Sequence, residues 1–245
     1  DTFSFRYLDA VVLVSGSMKK HPLLSARRLS RLHVVNNGIP SCVPENGQRI
    51  SDSIDKKIEE FCSGPKTIGA IGRLSSEKGF VFLLEAFRDV IAKGHDARLV
   101  IIGDGPERQK LEKTIAGWHM KDRVLLPGYV ADASRYLRLF HIFVISSLTE
   151  GLPISLLEAM RAMVPVVSTR VGGIEEVLGG GTAGIIVDPC NSDKLSEGIY
   201  KLIRDDELAD NLARRAENIF LSNYSSEVMT NNYIQIYKYI INKIY

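Results

Sequence analysis

Two glutamates, Glu150 and Glu158, bracket the segment Glu150-Gly151-Leu152-Pro153-Ile154-Ser155-Leu156-Leu157-Glu158. An ionised carboxylate only accepts hydrogen bonds, and paired hydroxyls on a ribose or hexose offer it two donors at once. A second constellation lies upstream, Gly72-Arg73-Leu74-Ser75-Ser76-Glu77-Lys78-Gly79. Arg73 suits a forked, bidentate phosphate contact, whereas Lys78 is a mobile point charge, so the two cations are not interchangeable. Together these residue types describe a clamp for a sugar nucleotide, with cations for a diphosphate and carboxylates for hydroxyls. Each pattern also has an ordinary reading: acids near a helix start favour the helix dipole, and an exposed turn carries solvated Arg and Lys.

The elements that must position these residues follow from local signals. The Glu150 loop leaves an apolar strand over 142–146 and enters a helix, with Pro153 expected at its first position and its end near Met163. Glu150 is then a loop residue and Glu158 a helix residue. Both face the crevice outside the strand carboxyl ends, where open parallel sheets place ligands. The turn from Gly72 to Gly79 follows a strand over 67–71 and precedes a helix over 80–93, leaving backbone N–H groups free for anions. It is neither a Walker A loop nor a complete Gly-x-Gly-x-x-Gly fingerprint. A third turn, Gly103-Asp104-Gly105-Pro106, ends a strand over 98–102 and opens a helix at Pro106. Its glycines permit close approach of a ligand, and such turns also simply punctuate strand–helix junctions. Gly172 and Gly173 open another helix after a strand over 164–167, whose amides could reach the same crevice.

Strand candidates at 67–71, 98–102, 123–126, 142–146, 164–167 and 184–187 read as continuous apolar runs and alternate with helical stretches. That pattern predicts an α/β fold with a parallel six-stranded sheet covered on both faces. Phe80, Leu83, Leu84, Phe87, Val90 and Ile91 share one helical stripe, which is core packing and carries no cofactor message. Further helices are expected over 193–204, 207–221 and 225–245. The last has an apolar, aromatic-rich face of Val228, Tyr233, Ile236, Tyr237, Ile240, Ile241 and Ile244.

Gly72-Arg73-Leu74 with Lys78-Gly79, Gly103-Asp104-Gly105-Pro106, the Glu150–Glu158 pair and Ser168-Thr169-Arg170-Val171-Gly172-Gly173 occur in this order over residues 66–190. The series resembles the donor-binding half of the retaining GT-B glycosyltransferases called group 1, or family 4. The resemblance implies a Rossmann-like sheet, the C-terminal half of a GT-B fold. It implies that Arg73 and Lys78 neutralise the donor diphosphate, that Glu150 holds the transferred sugar and that Glu158 holds the ribose hydroxyls. Gly72, Gly103 and Gly105, with the backbone of Gly151, Leu152 and Pro153, would approach the donor, and Tyr129 and Val130 in Pro127-Gly128-Tyr129-Val130 would contact the base edge. The implied substrates are a nucleotide sugar, UDP-linked first and GDP- or ADP-linked next, and a glycan or lipid-linked acceptor. No cofactor and no metal ion are required, in keeping with the lack of an Asp-x-Asp triplet or a Cys/His cluster.

The same resemblance divides the chain. Residues 1–40 are expected to be a remnant of an N-terminal acceptor-binding domain, 41–65 an interdomain connection, 66–222 the nucleotide-sugar-binding domain, and 223–245 a helix returning toward the N-terminal half. At 245 residues beginning with Asp1, the chain is expected to be part of a longer protein and inactive alone. Phosphorylases and epimerases share the fold; the Glu150–Glu158 segment favours transfer over epimerisation. A stand-alone nucleotide-sugar-binding or scaffold subunit is the non-enzymatic alternative.

A formal net charge of +2 argues against nucleic acid as main partner. One basic run, Lys19, Lys20, Arg27, Arg28 and Arg31, is a solvated face or meets anionic headgroups at a membrane. Cys42, Cys62 and Cys190 show no paired spacing and fit a reducing, cytoplasmic setting. His21, His33, His95, His119 and His141 show no ligand spacing.

Overall fold

A computed structural model describes residues 8, 10–16, 32–42 and 53–244. The basic run between Lys19 and Arg31 lies outside the described residues. Two short strands, β1 (Val11–Leu13) and β2 (Leu32–Val34), pair in parallel near the start. Helix α1 (Ser53–Cys62) then leads into the main sheet.

Six parallel strands build that sheet: β3 (Lys66–Ile71), β4 (Ala97–Ile102), β5 (Val124–Gly128), β6 (Ile142–Ile145), β7 (Val166–Thr169) and β8 (Ile185–Val187). Their order is β5-β4-β3-β6-β7-β8. The order reverses between β3 and β6, and the crevice at such a reversal is where doubly wound folds bind ligands. The sequence expectation of a six-stranded parallel sheet therefore holds, with strand ends moved by up to two residues. The largest shift is at β7, displaced by two residues at both ends, and β5 runs on through Pro127 and Gly128.

Alternation along the strands sends side chains to two cores. Leu99 and Ile101 of β4 pack on one face with Leu83, Leu84 and Phe87 of α2 (Phe80–Ala92) and Ile199 of α6 (Ser192–Arg204). Val100 and Ile102 pack on the other with Phe143, Leu156, Leu157 of α4 (Ile154–Arg161), and Phe220 of α7 (Asp206–Asn223). Each such fully buried Leu, Ile or Phe contributes about 1.5–3 kcal/mol, which fixes the sheet rigidly under its loops. Helix α3 (Arg108–Gly117) begins two residues after Pro106, and a four-residue α5 (Ile174–Val177) follows Gly173.

The last helix, α8 (Ser226–Ile244), is tied to the early segment around Pro40. Ile39 bridges Ser225, Gly38 N donates to Met229 Sδ at 3.3 Å, and Ser41 Oγ donates to Glu227 at 3.1 Å. Ile236 is buried, whereas Ile234, Tyr237 and Ile241 are exposed, so the apolar face is only partly covered among the described residues.

Candidate functional site

Four loops leave the carboxyl ends of β4, β3, β6 and β7, and backbone hydrogen bonds lace them together. Gly72 N donates to Ile102 O and Leu74 N to Asp104 O, joining the first two. Leu148 N donates to Glu77 O at 2.7 Å across the β3–β6 reversal, and Gly173 N donates to Gly151 O at 2.9 Å. Glycine is required at two of the contacts. Gly79 has φ 61° and a Cβ there would lie 2.2 Å from Ser146 O; Gly172 has φ 57° and its Cβ would lie 2.1 Å from Glu150 O. Gly103 and Gly105 bring backbone against backbone too, since side chains there would strike Gly72 O and Leu74 O. Their close approach is to the neighbouring loop.

At the reversal, Lys78 Nζ lies 2.5 Å from Glu150 Oε1. Ser147 Oγ donates to the same Oε1 at 2.7 Å. The Glu150 side chain is 10% exposed and that of Lys78 25%, so the pair is largely withdrawn from water while remaining reachable. Ser146 Oγ donates to Lys78 O at 2.9 Å, and Thr169 Oγ1 donates to Ser147 O at 2.6 Å. Two consecutive buried serines thus hold the two partners of one ion pair, and a buried threonine of β7 holds the second serine. The geometry differs from a pocket in which the cations face both acids across an open gap. Lys78 closes directly on Glu150 because Gly79 lets the β3 turn approach the β6 loop.

Arg73 stands apart from that pair. It is exposed and makes no ion pair or side-chain hydrogen bond among the described residues, although it lies near enough to Glu77 to help lower that carboxyl's pKa, after the Ser75 hydroxyl and a backbone donor. Gly151 is exposed, its φ is not left-handed, and nothing lies within 4 Å of a Cβ built on it. Leu152 packs into the core at the loop's far end. Pro153 occupies the N-cap with φ −70° and ψ 125°, one residue earlier than the helical position expected for it, and the helix closes at Arg161, before Met163. An extended ψ is compatible with the fixed proline φ, and it turns the chain out of the loop before the first helical turn.

Glu158, one turn from the end of α4, belongs to a second group. Burial pushes its carboxyl above the ordinary value, Arg161 acts against the shift, and Asp132 adds to it. Arg161 in turn donates through Nη1 to Pro40 O at 3.0 Å, while its Nε is buried without a partner among the described residues. Asp132 follows the loop that carries Tyr129, which is 77% exposed, and Val130. The structure therefore places Glu158 with Arg161 and the Asp132 end of the Tyr129–Asp132 loop, and Lys78 with Glu150 and Ser147, in two separate sets of contacts.

Sequence reasoning missed Ser146, Ser147 and Thr169. Their signal was available: all three are small hydroxyl residues at or just past the carboxyl ends of strands that are otherwise apolar, Ser168 excepted. His141 ties two strand ends together. Its Nδ1 accepts from Thr67 N at 3.0 Å, and burial, then Lys66, lower its pKa.

Among the described residues no group of three or more His, Cys, Asp or Glu is arranged to hold a metal ion, and no helix is long and apolar enough to cross a membrane. A cavity of about 890 Å³ lies away from the loops, at the outer edge of β5, lined by Lys57, Phe61, Arg108, Lys113 and Leu126.

The family model described as Glycosyl transferases group 1 matches residues 51–219. Alpha-D-kanosaminyltransferase of Streptomyces kanamyceticus is 31% identical over 172 residues, which is 69% of this chain and 45% of that protein. N-acetyl-alpha-D-glucosaminyl L-malate synthase of Bacillus anthracis is 31% identical over 182 residues, covering 74% and 48%. The chain spans about half the length of the curated relatives it matches. A crystal structure of a glycosyltransferase from Rickettsia africae ESF-5 superposes with a TM-score of 0.81 at 22% identity, over 95% of this chain and 63% of that one. Anabaena Alr3699/HepE in complex with UDP gives 0.80 at 22% identity, over 98% and 65%. At that identity the likeness is one of fold.

Proposed function

The chain belongs to the group 1 glycosyltransferases, and from that premise we propose that it is the donor-binding part of a retaining enzyme. The enzyme moves a hexose from a nucleotide-diphosphate sugar to a glycan or lipid-linked acceptor. The observation that carries this reading is the Lys78–Glu150 pair at the β3–β6 reversal, with Arg73 exposed and unpaired among the described residues in the same loop as Lys78. Arg73 and Lys78 meet the diphosphate. As the glycosidic bond breaks, negative charge grows on that leaving group, and cations already aimed at it lower the barrier without reorganisation. The charge is met by side chains and loop amides, and no metal is assigned to it.

Glu150 accepts from the sugar, while Glu158 accepts from the ribose beside the Tyr129–Val130 loop, which receives the base edge. Gly151 supports this placement, because neither backbone conformation nor packing demands a glycine there and the space stays open for a ligand. The UDP held by the Anabaena neighbour makes UDP-sugars the first class of donor to test. Residues 1–40 are assigned to an acceptor-binding domain, 41–65 to the connection between domains and 223–245 to a helix returning toward the N-terminal half, and this chain alone binds without turnover. A cytoplasmic location accords with a nucleotide-sugar donor.

Calorimetric titration of UDP, GDP and ADP in the presence of EDTA tests the reading. Binding of one of them, abolished in Arg73→Ala/Lys78→Ala, is the expected result. No binding by any of the three overturns it.

A further inference from the structure

The ion pair consumes one oxygen of Glu150 and leaves the other. Lys78 Nζ and Ser147 Oγ both reach Oε1, and that oxygen has two lone pairs to offer. Oε2 has no hydrogen-bond or ion-pair partner among the described residues. Among the described residues only Arg161 Nε is buried without a partner, so Oε2 keeps some exposure although the side chain is only 10% exposed, and a donor entering the cleft can reach it.

Resting on the donor-binding reading above, we propose that Ser147 is the positioning residue that makes Glu150 a one-oxygen acceptor, presenting Oε2 alone to the transferred sugar. Three observations set the carboxylate's rotation. Ser147 is 2% exposed, so its hydroxyl has no water to turn to. Its carbonyl is fixed by Thr169 Oγ1 at 2.6 Å, which roots the residue in β7. The Glu150 carbonyl is confined in turn by Gly172, where no Cβ fits. With Lys78 alone, Glu150 would face a long, flexible partner able to follow either oxygen; the short serine hydroxyl admits one orientation. Ser147 itself touches no ligand in this arrangement, and acts through Glu150.

The test separates diphosphate binding from sugar binding on the 245-residue chain. Calorimetry with UDP, GDP and ADP, and with UDP-glucose, GDP-mannose and ADP-glucose, gives for wild type the ratio of nucleotide-sugar Kd to nucleoside-diphosphate Kd. In Ser147→Ala the nucleoside diphosphate Kd stays within about twofold, while that ratio rises about tenfold, the size of one charge-assisted hydrogen bond to an aligned acceptor. Thr169→Val, which keeps the Ser147 hydroxyl but frees its backbone, shifts the ratio in the same direction by less. A general loss of structure would weaken both ligands together, and thermal melting of each variant identifies it. An unchanged ratio in a folded Ser147→Ala overturns the inference and leaves the donor-binding reading standing. If wild type binds none of the six compounds, both fall.

Discussion

Lys78 Nζ and Glu150 Oε1 meet at 2.5 Å although 72 positions separate them in the chain. The contact joins the loop after β3 to the loop after β6 across the point where strand order reverses. Because the pair is largely withdrawn from water, removing one partner leaves the other charged and poorly solvated. Lys78→Met is therefore expected to cost about 1–3 kcal/mol of folding stability. Exposed Arg73 has no such partner, and Arg73→Ala should leave stability within about 0.5 kcal/mol. Urea denaturation distinguishes them: equal destabilisation in the two variants would contradict the pairing. On the proposed donor-binding role the two converge on nucleoside diphosphate binding, each weakening it about tenfold or more, because either substitution deletes a cation assigned there to the phosphates.

Gly172 is where backbone conformation and site geometry coincide. Its φ of 57° disfavours any L side chain, and a Cβ would meet both the Glu150 and Gly151 carbonyls. Gly172→Ala must either strain the turn or push the Glu150 loop away, at about 1–3 kcal/mol. The expected signature is a fall in melting temperature together with weaker nucleotide-sugar binding. Gly117→Ala, in α3 with open space around its Cβ, is the control and should be neutral or stabilising by up to about 1 kcal/mol. A Gly172→Ala protein as stable as wild type would show that the loop has slack.

How much of this was legible in the sequence follows from what each residue reports locally. The strands were readable because both faces of the sheet are buried, so Val100, Ile102 and Phe143 had to be as apolar as Leu99, Ile101 and Val144. The turns were readable because glycine marks them. The closure of Lys78 on Glu150 was not, since side-chain direction depends on how near Gly79 lets two loops come, a tertiary distance with no local trace. Ser147 escaped for a related reason: a serine at a strand end reads as punctuation until the carboxylate it serves is placed beside it. Pro153 was displaced by one position because the same fixed φ suits both the cap and the first helical turn.

Glu158 gives a pH dependence of definite sign. Its folded pKa is raised, chiefly by burial, so the native state keeps a proton over a window in which the unfolded state has lost it. The associated stability is fully present below the ordinary value of 4.5 and is lost as pH rises through the folded value. Glu158→Gln removes the ionisation. The variant should therefore be more stable than wild type at pH 7, with the difference shrinking toward zero below about pH 4. Chemical denaturation at about pH 4, 5.5 and 7 measures this, and a gap independent of pH would refute it. On the proposed ribose-binding role of Glu158, the same substitution should weaken nucleoside diphosphate binding at neutral pH, because a neutral amide is a poorer acceptor for hydroxyls. Stability and binding would then move in opposite directions, as at many functional sites.

The aromatic face of α8 separates into covered and uncovered residues, and substitutions should follow that division. Ile236 is 9% exposed, whereas Tyr237 beside it is 61% and Ile241 55% exposed. Trimming a buried isoleucine forfeits transfer energy and leaves a cavity, so Ile236→Ala should cost about 2–4 kcal/mol. Tyr237→Ser and Ile241→Ser remove little that is packed and should change stability by less than about 0.5 kcal/mol. They should instead reduce self-association of the isolated chain, because Ile234, Tyr237 and Ile241 lie within one helical turn or two of each other and form an exposed apolar strip. Light scattering across a concentration series, alongside melting curves, reads both effects. Should Tyr237→Ser unfold the chain as readily as Ile236→Ala, the helix would be held by the face assigned here to solvent, and its docking against Ile39 and Ser41 would not be what anchors it.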